Sequence, residues 1–464
     1  MLTPQKKDFS QWYNDVVLQA GLADYSPVRG CMIIKPYGYA IWENIQKNMD
    51  AEIKKLGAQN VYFPLFIPEK FLKKEAEHVK GFAPQVAWVT HGGNKKLQER
   101  LAIRPTSETI MYDVFRDWIH SYRDLPLKIN QWANIVRWEM RPRLFLRTLE
   151  FLWQEGHTAH ATEKEADKMA MSVLKMYRDF VENYLGIYCV SGKKTEAEKF
   201  AGAKYTLAIE ALMKDGKALQ MGTSHQLGQG FAKSFNIQFL DEKSKKNYVW
   251  QTSWGVSTRT IGGIVMAHGD DKGLVLPPRI ATYQVVIIPI SYENNIKNYI
   301  SKIEKNLAKK QIRFYTDWQN QTPGWKFHEW ELKGAPLRIE IGPKEVKENK
   351  ITFVMRDELK RQIVFLKQFK PEKLLDEIQK RLFEKSKKFT IENTRKAKSY
   401  DEFKKILHEK GGFIKTHWCG NEKCEEKIKT DTKATIRCIV SEKSGRCIKC
   451  GKEGKFEVLF AKAY

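Results

Sequence analysis

The sequence predicts an α+β protein built from three successive units, and three observations carry that expectation. Residues 1–277 mix helical and strand periodicity and are rich in Trp, Arg and Gly. The run LVLPPR (274–279) then places two adjacent prolines where neither helix nor strand can continue. Beyond it, strands alternate with helical stripes over 278–372, the pattern of a small α/β domain. The remainder, 373–464, holds five of the seven cysteines, all between Cys419 and Cys450.

In the first unit, AIWENIQKNMDAEIKKLGA puts Ile41, Ile45, Met49, Ile53 and Leu56 on one helical face, with Gly57 as the stop. NVYFPLFIP follows as a strand interrupted at Pro64, which suits an edge or an interface. In the second unit YQVVIIPI reads as a buried strand. Ile296, Tyr299, Ile300, Ile303 and Leu307 then make one apolar helical stripe. IRFYTDW, LRIEIGP and ITFVMR complete the strand set, and the charged helix PEKLLDEIQKRLFEKSKKFTIENTRKA leads into the cysteine-rich end.

Composition narrows the class. The chain has 464 residues, 42% apolar and 12% aromatic, too much for a disordered polymer. Net charge is +25, from 80 basic against 55 acidic residues. An excess of that size is relieved by an anionic partner. The sequence lacks the roughly 18 consecutive apolar residues that a membrane span needs, and MLTPQKKDFSQWYNDV has no secretory h-region. A nucleic acid, met in the cytoplasm, is therefore the expected partner. Within the cysteine cluster, Cys419 and Cys424 form one close pair and Cys447 and Cys450 another. Two such pairs suit a closed tetrahedral zinc site that holds structure rather than catalyses. Cys438 is left over as a structural residue, and His417 is a weaker rival ligand.

Three separated segments carry the chemistry: NIVRWEMRPRLFLRTLEFLWQEGHTAH from Asn134, LQMGTSHQLGQGFAKSF from Leu219, and SWGVSTRTIGGIVMAHGDDKGLVLPPR from Ser253. Any single arginine among them is more often the partner of a surface carboxylate than a phosphate ligand. Gly262 and Gly263, just after Arg259, let a helix start pack closely. Together the segments resemble motifs 2 and 3 of class II aminoacyl-tRNA synthetases. With Thr106-Ser107-Glu108 upstream and WELKG…RIEIGP downstream, the likeness is to the prolyl-tRNA synthetase family, in its archaeal and eukaryotic type. It runs in matching order over essentially the whole chain, including the terminal cysteines and the aromatic Tyr464.

That resemblance implies a class II catalytic domain of antiparallel sheet and helices (1–277), an α/β anticodon-binding domain (278–372) and a small zinc-binding α/β domain (373–464). It implies ATP-dependent activation of L-proline and transfer to tRNA(Pro), with Mg²⁺ on the phosphates and a homodimer paired through the first helix and the Pro64 strand. By similarity, Arg137, Glu139 and Arg259 are catalytic. Arg137, Glu139, Arg147, Thr148, Gln220, Thr223, Ser257 and Arg259 hold ATP. Thr106, Glu108, Arg137, Trp153, Glu155, His157, His225 and Phe82 bind proline. A planar guanidinium at 137 suits two anionic oxygens at once, and a buried carboxylate at 108 makes sense where a cation arrives. His157 and His225 also fit hydrogen-bonded core histidines.

The loop between Glu139 and Arg147 is one residue shorter than in the archaeal and eukaryotic type, which leaves the placement of Arg141 and Arg143 at the tRNA acceptor end open. Between Thr148 and Leu219 there is no room for an inserted editing domain. In the second unit Phe327 is a candidate to stack on an anticodon base and Glu331, Arg338 and Glu345 to meet base edges. Lys360 and Arg361 are candidates for backbone phosphate. Three other readings stand beside this one: a threonine, histidine or glycine enzyme of the same subclass, a non-catalytic RNA-binding relative, or a zinc-ribbon module on an unrelated front half.

Overall fold

The computed structural model describes residues 2–78, 86–138 and 142–464, and the backbone alone for 74–78. Helix α1 (Pro36–Lys55) buries Ile41, Ile45, Met49 and Ile53, and Gly57 ends it at φ +84. Pro64 falls between two short strands that join different sheets, Gln59–Asn60 and Phe66–Pro68. Helix α2 (Glu108–Trp118) follows, then strands β1 (Leu127–Val136) and β2 (Glu150–His160). Helix α3 (Glu163–Tyr184) is closed at its start by a capping box between Thr162 and Glu165. Its buried stripe, Ala166, Met169, Ala170, Val173, Tyr177 and Val181, packs on the sheet.

Strands β3 (Cys189–Lys193), β4 (Tyr205–Leu212), β5 (Ala218–Gly228) and β6 (Trp250–Ser257) complete the catalytic sheet, and α4 (Arg259–His268) leaves its end. The order is β1-β2-β6-β5-β4-β3, every neighbour antiparallel. Segment 148–219 is thus spent on β2, α3, β3, β4 and the first residues of β5, all of them part of the catalytic core.

The second unit has the expected alternation. Strand β7 (Val285–Pro289) and helix α5 (Asn294–Lys309) open it, and α5 buries Ile296, Tyr299, Ile300, Ile303 and Leu307. Strand β8 (Phe314–Thr316), helix α6 (Pro323–Leu332) and strands β9 (Leu337–Ile341), β10 (Lys350–Met355) and β11 (Arg361–Phe365) follow. The sheet order is β8-β7-β9-β10-β11, parallel around β7 and antiparallel beyond β9. The charged segment forms helix α7 (Pro371–Glu392) up to its last five residues, and Leu375, Ile378 and Leu382 of α7 join the core of this unit.

The C-terminal unit is built from β12 (Thr394–Lys396), β13 (Phe413–Trp418), helix α8 (Glu422–Thr432), β14 (Thr435–Ser441) and β15 (Phe456–Ala461). Its strands extend the catalytic sheet: β14 pairs with β3, and one eleven-stranded sheet runs through both units. Gly192 permits that junction, since a Cβ there would lie 2.6 Å from the Cys438 Cβ and from the Ile439 carbonyl oxygen. Cys438 is buried beside it, away from the other terminal cysteines.

Candidate active site

Antiparallel pairing builds the site. Side chains two apart along a strand share a face, so Trp153, Glu155 and His157 of β2 line up together. Across the sheet they meet Ser257, Gly255 and Ser253 of β6, and Gly255 and Ser253 in turn meet Thr223 and His225 of β5. These side chains floor a cavity of about 550 Å³. Gly255 leaves the middle of that floor open, because a Cβ there would reach 3.2–3.5 Å from the Gln154 carbonyl and the Trp153 ring.

Eleven residues singled out from the sequence line this one cavity: Thr106, Glu108, Arg137, Trp153, Glu155, His157, Gln220, Thr223, His225, Ser257 and Arg259. Arg137 stands at the end of β1, where its Nε donates to the Pro105 carbonyl at 2.9 Å and its guanidinium lies over the rings of Phe151 and Trp153. Arg259 opens α4 and donates from Nε to the Leu146 carbonyl at 3.1 Å. Gly262 explains the close approach of α4: a Cβ there would come within 2.5 Å of Leu146 Cδ2 and 2.9 Å of Tyr13 Oη.

At the other end of the cavity, Glu108 begins α2 and is 3% exposed. A carboxylate at a helix N-terminus is favoured by the helix dipole, and the Thr106 hydroxyl donates to it. Glu155 is fully engaged: it accepts from Ser107 Oγ at 2.5 Å and Gln131 Nε2 at 2.8 Å, and pairs with His157 Nε2 at 3.1 Å. Burial opposes its charge, but these partners hold the carboxyl below its ordinary range. His157 is buried too, yet the Glu155 hydrogen bond and the Glu108 and Glu155 charges push it upward. His225 goes the other way, down to about 3, through burial and the positive His157 and Arg137 nearby. The same face thus shifts its two imidazoles in opposite directions.

Arg147 and Thr148 do not line this cavity. Phe82 and Glu139 lie outside the described residues, as does Arg141. Arg147 is exposed in the turn before β2, bridged to Arg143, and Thr148 is buried with its hydroxyl on the Glu150 carbonyl at 2.6 Å. The Arg143 guanidinium lies between the rings of Tyr13 and Tyr464, at 4.8 and 5.4 Å. The sequence reading missed Phe151 and Ser253, although strand alternation from Trp153 and Gly255 points to both. It also missed Glu198, Lys199 and Phe200. These sit on a turn with no periodicity to reveal them.

Elsewhere, Arg338 stacks over Phe327 at 4.4 Å and donates to Glu331 at 2.9 Å and Glu340 at 3.1 Å. Glu345 belongs to a different corner, where it accepts from the Gly342 N–H at 2.9 Å and Thr352 Oγ1 at 2.8 Å at the start of a short helix. Arg361 pairs with Glu340 at 2.8 Å, while Lys360 is exposed. In the terminal unit the sulfurs of Cys419, Cys424, Cys447 and Cys450 all lie within 4.8 Å of one another. Tetrahedral zinc at the usual Zn–S distance of about 2.3 Å needs sulfurs about 3.8 Å apart, and Cys419 and Cys450 are 3.9 Å apart. The donor set fits zinc, and His417 is not in it.

Comparison with known proteins agrees with this geometry. The family described as tRNA synthetase class II core domain (G, H, P, S and T) matches residues 88–268, the anticodon binding domain matches 284–381, and the prolyl-tRNA synthetase C-terminal domain matches 400–464. A proline--tRNA ligase of Natranaerobius thermophilus is 52% identical, with 100% of this chain and 98% of the relative covered. A proline--tRNA ligase 2 of Bacillus cereus is 51% identical with the same coverage. The crystal structure of the prolyl-tRNA synthetase of Cryptosporidium parvum complexed with L-proline and AMP superposes with a TM-score of 0.94 at 42% identity, covering 100% of this chain and 96% of that one. The same protein with halofuginone and AMPPNP gives a TM-score of 0.95 at 43% identity, over 100% and 99%. The converging arginines, the carboxylate-lined slot and the matched domains lead to one assignment: the chain belongs to the prolyl-tRNA synthetase family.

Proposed function

We propose that the cavity activates L-proline with ATP to prolyl-adenylate, releasing pyrophosphate, and passes the prolyl group to tRNA(Pro) with release of AMP. One observation carries the reading: Arg137 and Arg259, far apart in the chain, line a single cavity with Glu108. The proline carboxylate is already ionised, so attack on the α-phosphorus needs alignment and charge neutralisation rather than a general base. Arg137 spans the α-phosphate and the proline carboxylate, its plane fixed by Pro105 and the two rings. Arg259 takes the tail phosphates, and Gln220, Thr223 and Ser257 take the ribose and adenine side. Glu139, Arg147 and Thr148 are assigned to holding the nucleotide. Mg²⁺ arriving with ATP would supply further charge neutralisation at the phosphates.

Glu108 and Thr106 receive the secondary ammonium of proline. Trp153, His157, His225 and Phe82 wall the ring, and Glu155 orients His157 through the hydrogen bond they share. The domains divide the work as 1–277 for activation, 278–392, with α7 in its core, for the anticodon and 393–464 as a zinc-stabilised support. Phe327, Glu331 and Arg338 are assigned to the anticodon side, and Arg143 to the acceptor end. A homodimer is supported by exposed apolar residues near Pro64, above all Tyr62 at 73% exposure; light scattering measures it. A cytoplasmic location is supported by seven cysteines with no disulfide among them. No helix among the described residues is long and apolar enough to cross a membrane. The experiment is amino-acid-dependent ATP–pyrophosphate exchange across proline, threonine, histidine and glycine. Exchange with proline is expected, and a preference for any of the other three overturns the assignment.

A further inference from the structure

Residues 194–204, between β3 and β4, deliver Glu198, Lys199 and Phe200 to the cavity. Thr195 is the base of that turn: its carbonyl accepts the N–H of Glu198 at 3.2 Å and of Lys199 at 2.9 Å. Phe200 is seated from the other side. Its N–H donates to Thr206 Oγ1 at 2.9 Å, the same hydroxyl that pairs with His225 Nδ1 at 2.9 Å, and its ring lies 4.7 Å from the His225 ring. The turn therefore sets the wall of the amino-acid end.

What holds Thr195 comes from the far end of the chain. Its hydroxyl donates to Glu425 Oε1 of α8 at 2.7 Å, across 230 positions of sequence. Thr195 is 2% exposed and Glu425 3%. The second oxygen of Glu425 is buried with no hydrogen-bond partner among the described residues. An under-satisfied buried carboxylate costs stability, so its position calls for a reason. Next along the turn, Lys194 Nζ donates to Glu210 at 2.6 Å, and Arg437 of β14 forks onto the same carboxylate at 2.9 and 3.2 Å. Two buried cations from two domains thus share one anion under the turn. In the outer pair, Glu198 with Lys429, the lysine is mostly exposed and the pair adds little.

We propose that Glu425 is a positioning residue for proline: by holding Thr195, the C-terminal domain fixes the 195–200 turn and seats Phe200 against His225. The inference rests on the reading of this cavity as the proline site. It separates Glu425 from the nucleotide half, whose groups stand on β5, β6, α4 and the segment between β1 and β2.

The test uses the full-length chain and the variants Glu425→Ala, Glu425→Gln, Thr195→Val and the double variant Thr195→Val/Glu425→Ala. It reads KM for proline and for ATP in pyrophosphate exchange, and hydrogen exchange of residues 194–204 without ligand. Loss of one buried hydrogen bond corresponds to about tenfold. Glu425→Ala and Thr195→Val should each raise proline KM by about that factor, leave ATP KM within about twofold and speed exchange of the turn. The double variant should be no worse than either single one, since both remove one interaction. Glu425→Gln keeps an acceptor and should stay near the parent. Because Thr195→Val lies in the catalytic unit, it reads the clamp even if Glu425→Ala disturbs the terminal domain. Unchanged proline KM in Thr195→Val, or proline and ATP KM rising together, would overturn the proposal. A turn unprotected in the parent chain also overturns it. A protected turn that both single variants deprotect, in a chain without proline-dependent exchange, upholds the clamp and sinks only the substrate reading.

Discussion

Replacing Glu108 with Ala tests the amino-acid end of the cavity most directly. Glu108 is 3% exposed, sits at the first position of α2 and accepts the Thr106 hydroxyl. A proline ammonium placed there meets a carboxylate screened from water. Removing one partner of a buried charge pair costs about 3–5 kcal/mol, and each 1.36 kcal/mol is tenfold in rate. Glu108→Ala should therefore lower kcat/KM for proline by about 10² to 5 × 10³-fold in pyrophosphate exchange. The KM for ATP should hold, because the nucleotide side is built from other strands. Glu108→Gln separates shape from charge: it keeps an acceptor for Thr106 but should still lose most of the proline dependence. Loss of the helix-end carboxylate itself is worth only about 0.3–1 kcal/mol, so thermal unfolding should move little and a folding defect would be recognised. Proline-dependent exchange within about threefold of the parent would refute the assignment of Glu108 to the ammonium.

Further outcomes follow from the same geometry. Gly262→Ala drives a methyl into Leu146 and Tyr13; overpacking of this kind costs about 1–3 kcal/mol, and because Arg259 leans on the Leu146 carbonyl, ATP KM should rise more than proline KM. Metal analysis of the purified chain should find about one zinc, and Cys424→Ser should lower both zinc content and the unfolding temperature; a zinc-free, equally stable chain refutes the site. With no inserted hydrolytic domain between Thr148 and Leu219, discrimination rests on fit, which rejects a slightly smaller side chain by only about 1–3 kcal/mol. Alanine and cysteine should support measurable exchange, with no deacylation of alanyl-tRNA by this chain. His160 and His268 are pushed down to about 4, in both chiefly by burial. Between the ordinary value of about 6.5 and 4 the unfolded chain binds the extra protons, so each costs about 1.4 kcal/mol of stability per pH unit as pH falls. That stability is fully present above about 6.5. His157, raised despite its burial by Glu155 and Glu108, contributes in the opposite sense: present below about 6.5 and lost as pH rises through its folded value. Urea midpoints at pH 5, 6 and 7 check this, with a flat profile as the refuting result.

Where sequence spacing maps onto one helix or strand, the reading transferred directly. The stripe from Ile296 to Leu307 is buried as the 3.6 period requires, and Ile41, Ile45, Met49 and Ile53 are buried along α1 for the same reason. Thr106, Glu108, Arg137 and Arg259 were legible through resemblance rather than period, since nothing in the spacing of an isolated arginine distinguishes a phosphate ligand from a surface ion pair. Glu345 illustrates the limit. On an alternating strand-and-turn segment it resembles its neighbours, yet its carboxylate is engaged by Gly342 and Thr352, while Phe327, Glu331 and Arg338 gather elsewhere.

By itself the sequence determined the family, the three-part order, the apolar faces and the paired cysteines, because each is written in local spacing or in runs of adjacent residues. Only the tertiary structure decided that β14 continues the catalytic sheet through β3, that Arg143 rests between Tyr13 and Tyr464, and that Glu425 reaches Thr195. Those contacts join residues hundreds of positions apart, where chain connectivity imposes no period. They form when two folded surfaces bury one another, and burial then selects partners by distance, shape and charge.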